Sequence, residues 1–170
     1  MRLILTFLML FSFALAEDIY EGDVYADEAY AMQKRGEAII VDVRTTLEYL
    51  YTGHGEGFIN IPAFEWTYDP KSVETRVKSA EYELENGMVK EHKDAMKLYN
   101  AKEVISKSFV KDVMTAMKLR NVEKVILVCR SGPRSKAAAN MLAREGITAY
   151  NLEDGFIFGW KEEKMPWGGQ

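Results

Sequence analysis

The fold class follows from residues 124–146, KVILVCRSGPRSKAAANMLAREG. Residues 124–129 form a short apolar run rich in β-branched side chains, which is typical of a buried strand. Residues 135–146 are rich in alanine and end at Gly146, a pattern that predicts a helix. A buried strand that leads through a tight loop into a helix indicates an α/β protein with a mostly parallel sheet.

The same alternation extends along the rest of the chain. Strands are predicted at residues 38–43, 58–62 and 148–152, and helices at residues 26–35, 45–52 and 106–119. Together these elements predict a three-layer α/β domain, with a mostly parallel sheet flanked by helices on both faces.

A charged segment interrupts the pattern between about residues 67 and 103. Val73, Val77, Ala80 and Leu84 are spaced as the apolar stripe of an amphipathic helix, with Asn86-Gly87 as its end. We therefore predict a charged helical insert that lies on the domain as a structural element. A binding element is the alternative.

Residues 1–16 have the features of an export signal. Met1-Arg2 is followed by an apolar run that ends in Ala14-Leu15-Ala16, which predicts a signal peptide cleaved after Ala16. The apolar run is short for a membrane anchor, so the mature domain, residues 17–170, is predicted to carry no membrane span. The protein is expected to be exported, to the periplasm of a two-membrane bacterium or otherwise outside the cell.

Composition excludes several classes of site. The 170 residues are 48% hydrophobic and 28% charged, with one cysteine, two histidines and a net charge of −4. One cysteine excludes an internal disulfide framework and a cysteine-rich metal site. The negative charge disfavours nucleic-acid binding. No metal and no cofactor are predicted.

The single cysteine, Cys129, lies where the predicted strand meets the loop. Arg130 and Arg134 flank it, and loop N–H groups and a helix N-terminus favour negative charge there. Such surroundings lower a thiol pKa and favour the thiolate, which is a nucleophile. Gly132 permits a tight turn, and Ser131 and Ser135 offer hydroxyl donors, with Ser135 also a candidate helix cap. A buried, inert cysteine is the alternative interpretation.

The motif Cys129-Arg130-Ser131-Gly132-Pro133-Arg134-Ser135 resembles the active-site loop of the rhodanese (sulfurtransferase) superfamily. Two further segments agree with that family in order along the chain. They are Asp42-Val43-Arg44 with Glu48-Tyr49, Gly53-His54, Gly57 and Asn60-Ile61-Pro62, and Asn151-Leu152-Glu153-Asp154-Gly155 with Gly159-Trp160 and Pro166. Two features depart from the family. Asp154 stands where glycine is common, and a minimal module of this family lacks the insert.

The resemblance implies a rhodanese-like fold and a role for each matching residue. Cys129 would be the catalytic nucleophile that carries a persulfide sulfur. The substrate-binding residues would be Arg130, Ser131, Gly132, Pro133, Arg134 and Ser135, with both arginines binding an anionic donor such as thiosulfate. Asp42 and Arg44 would support the loop, either as a structural ion pair or by direct action. His54 is read as a packed, hydrogen-bonded side chain, with a catalytic base as the alternative, and Trp160 as part of the core or of a pocket wall. Trp66 and Trp167 are candidates for the cleft mouth.

Three functions remain open. The first is a sulfurtransferase that moves sulfur from a small sulfur-containing anion to a thiol or cyanide acceptor. The second is a sulfur carrier or persulfide-binding module that serves a protein acceptor. The third is a non-catalytic domain, an oxyanion reductase or a phosphatase of the same fold. Four residues separate Cys129 from Arg134, whereas five residues separate the cysteine from the arginine in the loop typical of related phosphatases. A phosphoryl group needs a wider loop than a single sulfur atom, so the shorter loop favours sulfur over phosphate.

Overall fold

The computed structural model describes residues 18–78, 84, 85, 88, 89 and 97–169. The predicted signal peptide, residues 1–16, and its cleavage site lie outside the described residues. Among the residues described, no helix combines the length and apolar character that crossing a bilayer requires.

The described elements alternate in type along most of the chain. The strands are β1 (Gly22–Val24), β2 (Ala38–Asp42), β3 (His54–Gly55), β4 (Ile59–Asn60), β5 (Phe64–Thr67), β6 (Leu84–Glu85), β7 (Met88–Val89), β8 (Lys102–Ile105), β9 (Lys124–Val128), β10 (Thr148–Leu152) and β11 (Trp167–Gly168). The helices are α1 (Ala26–Lys34), α2 (Thr46–Thr52), α3 (Val73–Lys78), α4 (Phe109–Arg120), α5 (Pro133–Arg144) and a π-helix (Gly155–Trp160).

The central sheet has five strands in the order β1-β10-β9-β2-β4, and every neighbouring pair is parallel. Its middle strand is β9, the strand predicted from residues 124–129. The α/β class with a mostly parallel sheet is therefore confirmed. All five residues of β2 are buried, because helices cover both faces of a parallel sheet and its strands become continuously apolar.

Two apolar clusters lie on opposite faces of this sheet. On one face, α4 contributes Phe109, Val113 and Met117, and α5 contributes Ala138, Ala139 and Leu142. On the other face, α1 and the π-helix contribute Ala26, Ala29, Met32, Phe156 and Trp160. Successive strand residues alternate between the clusters, as Val41 and Ile40 do. Two of the predicted helices, at residues 26–35 and 106–119, therefore pack on opposite faces of the sheet.

Three predicted elements have clearly different ends in the structure, and one of them is the helix predicted at residues 106–119, which begins at Phe109. The strand predicted at residues 58–62 is reduced to β4, because Phe58 is buried in the core and Pro62 has no N–H to donate to a ladder. The helix predicted at residues 135–146 begins two residues earlier, with Pro133 in its first turn, where proline is favoured. The short strand β1 was not predicted.

The prediction of a helical insert at about residues 67–103 holds only for α3 in the described part of the chain. The insert is bounded by an antiparallel pair, in which Phe64 of β5 lies opposite Ile105 of β8. Leu84 lies in β6, which pairs with β7, so it does not continue the helix. The predicted helix end at Asn86-Gly87 and Ala80 lie outside the described residues.

The described part of the predicted apolar stripe, Val73 and Val77, does not lie on the domain. Val73 and Val77 of α3 are each 66% exposed. The antiparallel pairing of β5 with β8 brings the two ends of the insert together.

Substitution of two valines, one buried in α4 and one exposed in α3, tests whether α3 packs on the domain. Val113→Ala is expected to lower the free energy of unfolding by about 2 kcal/mol, because Val113 of α4 is fully buried and its loss leaves a cavity. Val77→Ala in α3 is expected to change it by less than about 0.5 kcal/mol. Urea unfolding followed by circular dichroism measures both, and a large loss at Val77 would contradict the exposed position of α3.

Candidate active site

The predicted site residues lie at one end of the sheet, where two parallel strands end side by side. Asp42, the last residue of β2, lies opposite Val128, the last residue of β9, and Cys129 follows directly. From β9 the chain continues to β10 on one side, and from β2 it continues to β4 on the other. The site therefore occupies a topological switch point, where the loops at the strand ends separate and leave a crevice.

The loop of residues 129–135 curls around the sulfur of Cys129. The side chain is 1% exposed, and its Sγ accepts a hydrogen bond from the N–H of Gly132 at 3.2 Å. Gly132 has a φ of +103°, in the region that favours glycine. The sulfur thus lies beneath the start of α5, where backbone N–H groups point out of the helix.

Ser135 has a different role from the helix cap that was considered for it. Gly132 occupies the cap position, and Pro133 begins α5. Ser135 is buried, and its hydroxyl donates a hydrogen bond to the carbonyl of Gly132 at 2.8 Å. Ser135 therefore fastens the loop to the helix, while Ser131 is exposed.

The π-helix supports the loop from below. The N–H of Phe156 donates to the carbonyl of Cys129 at 2.8 Å, and the N–H of Ile157 donates to the carbonyl of Arg130 at 3.1 Å. Gly155 adopts a φ of +64°, and a Cβ there would lie 2.5 Å from the amide nitrogen of Ser131. The loop backbone therefore packs directly on the backbone of Gly155.

Asp42 and Arg44 form a buried ion pair beside the loop. The side chains are 0% and 1% exposed, and Arg44 Nη2 lies 2.6 Å from Asp42 Oδ2. Arg44 also donates to the hydroxyl of Thr52 at 2.7 Å and to the carbonyl of Gly53 at 2.8 Å. Its guanidinium carbon lies 4.4 Å from the ring centroid of Phe156. These contacts join the end of β2 to the end of α2 and to the π-helix, an arrangement that fits a supporting role.

The two arginines of the loop differ in their surroundings. Arg134 donates two hydrogen bonds to Glu48 of α2, at 2.9 Å and 2.7 Å. Arg130 is exposed, and within the described residues it has no ion-pair partner. The arginines were predicted to bind an anionic donor together, but in the structure Arg134 is already paired with a carboxylate.

The Glu48 carboxylate is strongly stabilised in its charged form. Burial by itself raises the pKa of Glu48, but hydrogen bonds from Arg134 and from Thr45 outweigh it and lower the pKa from 4.5 to about 2. Conversely, the hydrogen bond to Glu48 raises the pKa of Arg134. Both partners are therefore charged across the physiological pH range.

A cleft of about 280 Å³ opens beside the loop. Its lining residues are Arg44, Glu48, Thr52, Arg130 and Ile157. Within the part of the chain that the structure describes, no group of three or more histidine, cysteine, aspartate or glutamate side chains is arranged to hold a metal ion. The cleft has the size for a small molecule of a few heavy atoms.

The aromatic residues singled out from the sequence have separate positions. His54 stacks on Tyr49, with ring centroids 3.9 Å apart, and its Nδ1 lies 3.3 Å from the carbonyl of Gly55. Trp160 is fully buried, and its indole N–H donates to the carbonyl of Pro166. Trp167 lies in β11, half exposed and beneath the ammonium of Lys161. Trp66 lies in β5, half-buried, at the base of the insert.

Sequence reasoning missed the roles of three residues. Thr45-x-x-Glu48 has the spacing of a capping box, and the structure contains one. The second role of Glu48, as the ion-pair partner of Arg134, was missed because Arg134 lies 86 residues away in the sequence. The sequence singles out Gly155 only within the closing segment of the motif and does not single out Phe156. Their contacts with the loop depend on tertiary packing, for which a single sequence carries no local signal.

Comparison with known proteins assigns the domain type. The family profile described as "Rhodanese-like domain" matches residues 25–163. The chain is similar to the crystal structure of Rv0390 from M. tuberculosis, with a TM-score of 0.55, 22% identity and coverage of 89% of this chain and 99% of that one. It is also similar to part of a thiosulfate sulfurtransferase from Pseudomonas aeruginosa, with a TM-score of 0.52, 19% identity and coverage of 87% of this chain and 20% of that one.

A sequence relative is an uncharacterized protein, RP600, of Rickettsia prowazekii. It is 43% identical over 49 residues, which correspond to 25% of this chain and 40% of the relative. The match thus spans less than half of that relative's length. At their levels of identity, the two structures establish similarity of fold.

A pair of glycine substitutions tests the support of the loop by the π-helix. Gly155→Ala is expected to destabilise the domain by about 3 kcal/mol or more, because positive φ strain adds to a backbone collision. Gly146→Ala is the matched control, since Gly146 has a φ of +75° but open space around it. That variant should cost about 1 kcal/mol. Equal losses in urea unfolding would contradict a specific contact between Gly155 and the loop.

The Glu48–Arg134 pair predicts a pH-dependent contribution to stability. The folded pKa of Glu48 is depressed, so this contribution is present above pH 4.5 and is lost as the pH falls toward 2. Glu48→Gln should lower stability by about 1 kcal/mol at pH 7, a value reduced by solvent screening. The deficit should shrink between pH 4.5 and 3 in urea unfolding.

The exposed pair of Arg35 and Glu37 provides the control for this measurement. Glu37→Gln should change stability less at pH 7, because solvent screens both of its charged groups. A deficit of Glu48→Gln that stays constant down to pH 3 would contradict the ionic origin of its effect.

Proposed function

The chain belongs to the rhodanese-like domain family, and from this membership we propose that it is a sulfurtransferase. It moves a sulfane sulfur from thiosulfate or a similar small anion to a thiol or cyanide acceptor, with Cys129 as the nucleophile. The proposal extends beyond the fold, because the domain type is compatible with catalytic and with non-catalytic functions.

One observation carries the proposal: the Cys129 sulfur accepts the N–H of Gly132 at the N-terminus of α5. N–H groups at this position favour a negative charge on the sulfur. A persulfide Cys129–S–S⁻ bears its charge on an outer sulfur, about 2 Å from Sγ. The residues proposed to surround that sulfur are Arg130, Ser131, Gly132, Pro133, Arg134 and Ser135.

The first half of the proposed cycle loads the cysteine. The Cys129 thiolate attacks the sulfane sulfur of thiosulfate, a new S–S bond forms, and the S–S bond of thiosulfate breaks. The bonding electron pair leaves with sulfite, SO₃²⁻, so the total charge of −3 is conserved. Loss of sulfite leaves the persulfide anion Cys129–S–S⁻.

The second half of the proposed cycle transfers the outer sulfur from the Cys129 persulfide to an acceptor. Cyanide attacks the outer sulfur, the persulfide S–S bond breaks, and thiocyanate leaves while the Cys129 thiolate is restored. A thiol acceptor acts in the same manner as its thiolate and leaves as a persulfide. Because Cys129 is the only cysteine in the chain, no internal thiol can resolve the persulfide as a disulfide, and the sulfur must pass to an external acceptor.

A sulfur carrier that serves a protein acceptor is the second candidate. The low exposure of Cys129 favours it, since a persulfide beneath the loop is shielded from adventitious thiols. Both candidates require the same persulfide and differ in the rate of unloading. Export of the domain, by removal of residues 1–16, remains a separate prediction.

The persulfide is tested on the purified protein by intact mass. Incubation with thiosulfate should add the mass of one sulfur atom, and cyanide should remove it. Cys129→Ser should add nothing, while circular dichroism shows an unchanged fold. A gain of sulfur that persists in Cys129→Ser would refute Cys129 as the nucleophile.

Two further measurements separate the remaining functions. Absence of sulfur uptake, combined with phosphate release from an aryl phosphate, would replace sulfur transfer with phosphatase chemistry. If sulfur is taken up, fast turnover with free cyanide indicates an enzyme. Slow turnover with cyanide that accelerates on addition of a protein acceptor indicates a carrier.

A further inference from the structure

Glu48 determines how much positive charge the cleft offers to a sulfur donor. Two of the three arginines around the loop are neutralised in the structure: Arg44 by Asp42, and Arg134 by Glu48. Of these three arginines, Arg130 is the one that has no acidic partner within the described residues. The Glu48 side chain itself lines the cleft with Arg130, so an incoming anion meets a fixed carboxylate as well as a cation.

Glu48 is held in this place from two sides. Its Oε2 accepts the N–H of Thr45 at 3.2 Å and the hydroxyl of Thr45 at 3.1 Å, and both of its oxygens accept from Arg134. A carboxylate held by this many donors is fixed in position and stays ionised, in agreement with its low pKa.

We infer that Glu48 is a specificity-determining residue that directs the site toward singly charged sulfane donors, such as persulfide or thiosulfonate anions, ahead of doubly charged thiosulfate. The inference rests on the proposed function, since it names the donor class of the same site. Loop N–H groups and Arg130 provide enough positive potential for one negative charge. A second negative charge on the donor experiences the repulsion of Glu48 without the full attraction of Arg134.

The expected size of the effect follows from Coulomb's law. If the donor charge is taken to lie about 8 Å from the Glu48 carboxylate, with an effective dielectric constant of about 40, removal of the carboxylate charge favours each unit of donor charge by about fivefold. Glu48→Gln should therefore lower the KM for methanethiosulfonate, a monoanion, about fivefold, and the KM for thiosulfate, a dianion, about 25-fold. The ratio of the two KM values should therefore shift by about fivefold between the unaltered protein and the variant. Because each donor is compared with itself across variants, its intrinsic reactivity cancels.

Glutamine preserves the local structure while it removes the charge. Glutamine at this position of a capping box still accepts the N–H of Thr45, and the loss of the charge releases Arg134 to act on the donor. The matched control is Glu123→Gln, an exposed carboxylate before β9, at the opposite end of that strand from Cys129. It makes the same change in net charge and should leave both KM values within twofold.

A second variant keeps the test decisive if Glu48→Gln folds poorly. Arg134→Gln leaves the Glu48 charge unpaired, so it should raise the KM for thiosulfate more than the KM for methanethiosulfonate. The double variant Glu48→Gln/Arg134→Gln restores the original charge balance, and its KM ratio should return to within twofold of the unaltered protein. Equal changes for both donors in every variant would overturn the inference.

Anion binding without turnover separates this inference from the proposed function. In Cys129→Ser protein at low salt, NMR titration of the Gly132 amide compares sulfate with methanesulfonate. When Glu48→Gln is combined with Cys129→Ser, binding of the dianion sulfate should strengthen about fivefold more than binding of the monoanion methanesulfonate. If neither donor transfers sulfur but this shift occurs, the proposed sulfur transfer fails and the charge role of Glu48 stands. If sulfur transfers without the shift, the donor inference alone fails.

Discussion

The buried guanidinium of Arg44 links the elements around the candidate site. It pairs with Asp42 at the end of β2, donates to Thr52 and Gly53 at the end of α2, and stacks on Phe156 of the π-helix. Phe156 in turn donates its N–H to the carbonyl of Cys129. A buried charge is costly without partners, so each of these elements has to reach its place for Arg44 to be satisfied. The position of the cysteine loop is thereby coupled to two segments that are distant in sequence.

The same coupling explains which parts of the molecule are readable from sequence. The strands β2 and β9 are buried on both faces, so their largely apolar runs identify them without tertiary information. The cysteine loop is also readable, because glycine and proline between a strand and a helix restrict its backbone. The support of the loop by Asp42 and Arg44 was predicted from the resemblance to the family, and the structure shows the two side chains paired at the end of β2.

Other features cannot be predicted from the sequence because they depend on partners far along the chain. The α3 stripe has helical spacing, but spacing alone does not say whether another surface covers it, and Val73 and Val77 are exposed. β5 and β8 become strands through mutual pairing across the insert. Arg134 illustrates the same limit within the site. Its place in the motif suggests an anion ligand, while Glu48, on a different helix, takes up its guanidinium.

This pairing changes how the loop can attract negative charge. If Arg134 is occupied, the attraction depends on Arg130 and on backbone N–H groups near the start of α5. Backbone dipoles are fixed by the fold and cannot be neutralised by a neighbouring side chain, whereas a guanidinium can. A site built mainly on N–H groups therefore favours a charge concentrated on one atom close to the loop, such as the terminal sulfur of a persulfide. A donor with charge spread over several oxygens also needs cationic side chains at a greater distance from the loop, and one of these, Arg134, is paired with Glu48.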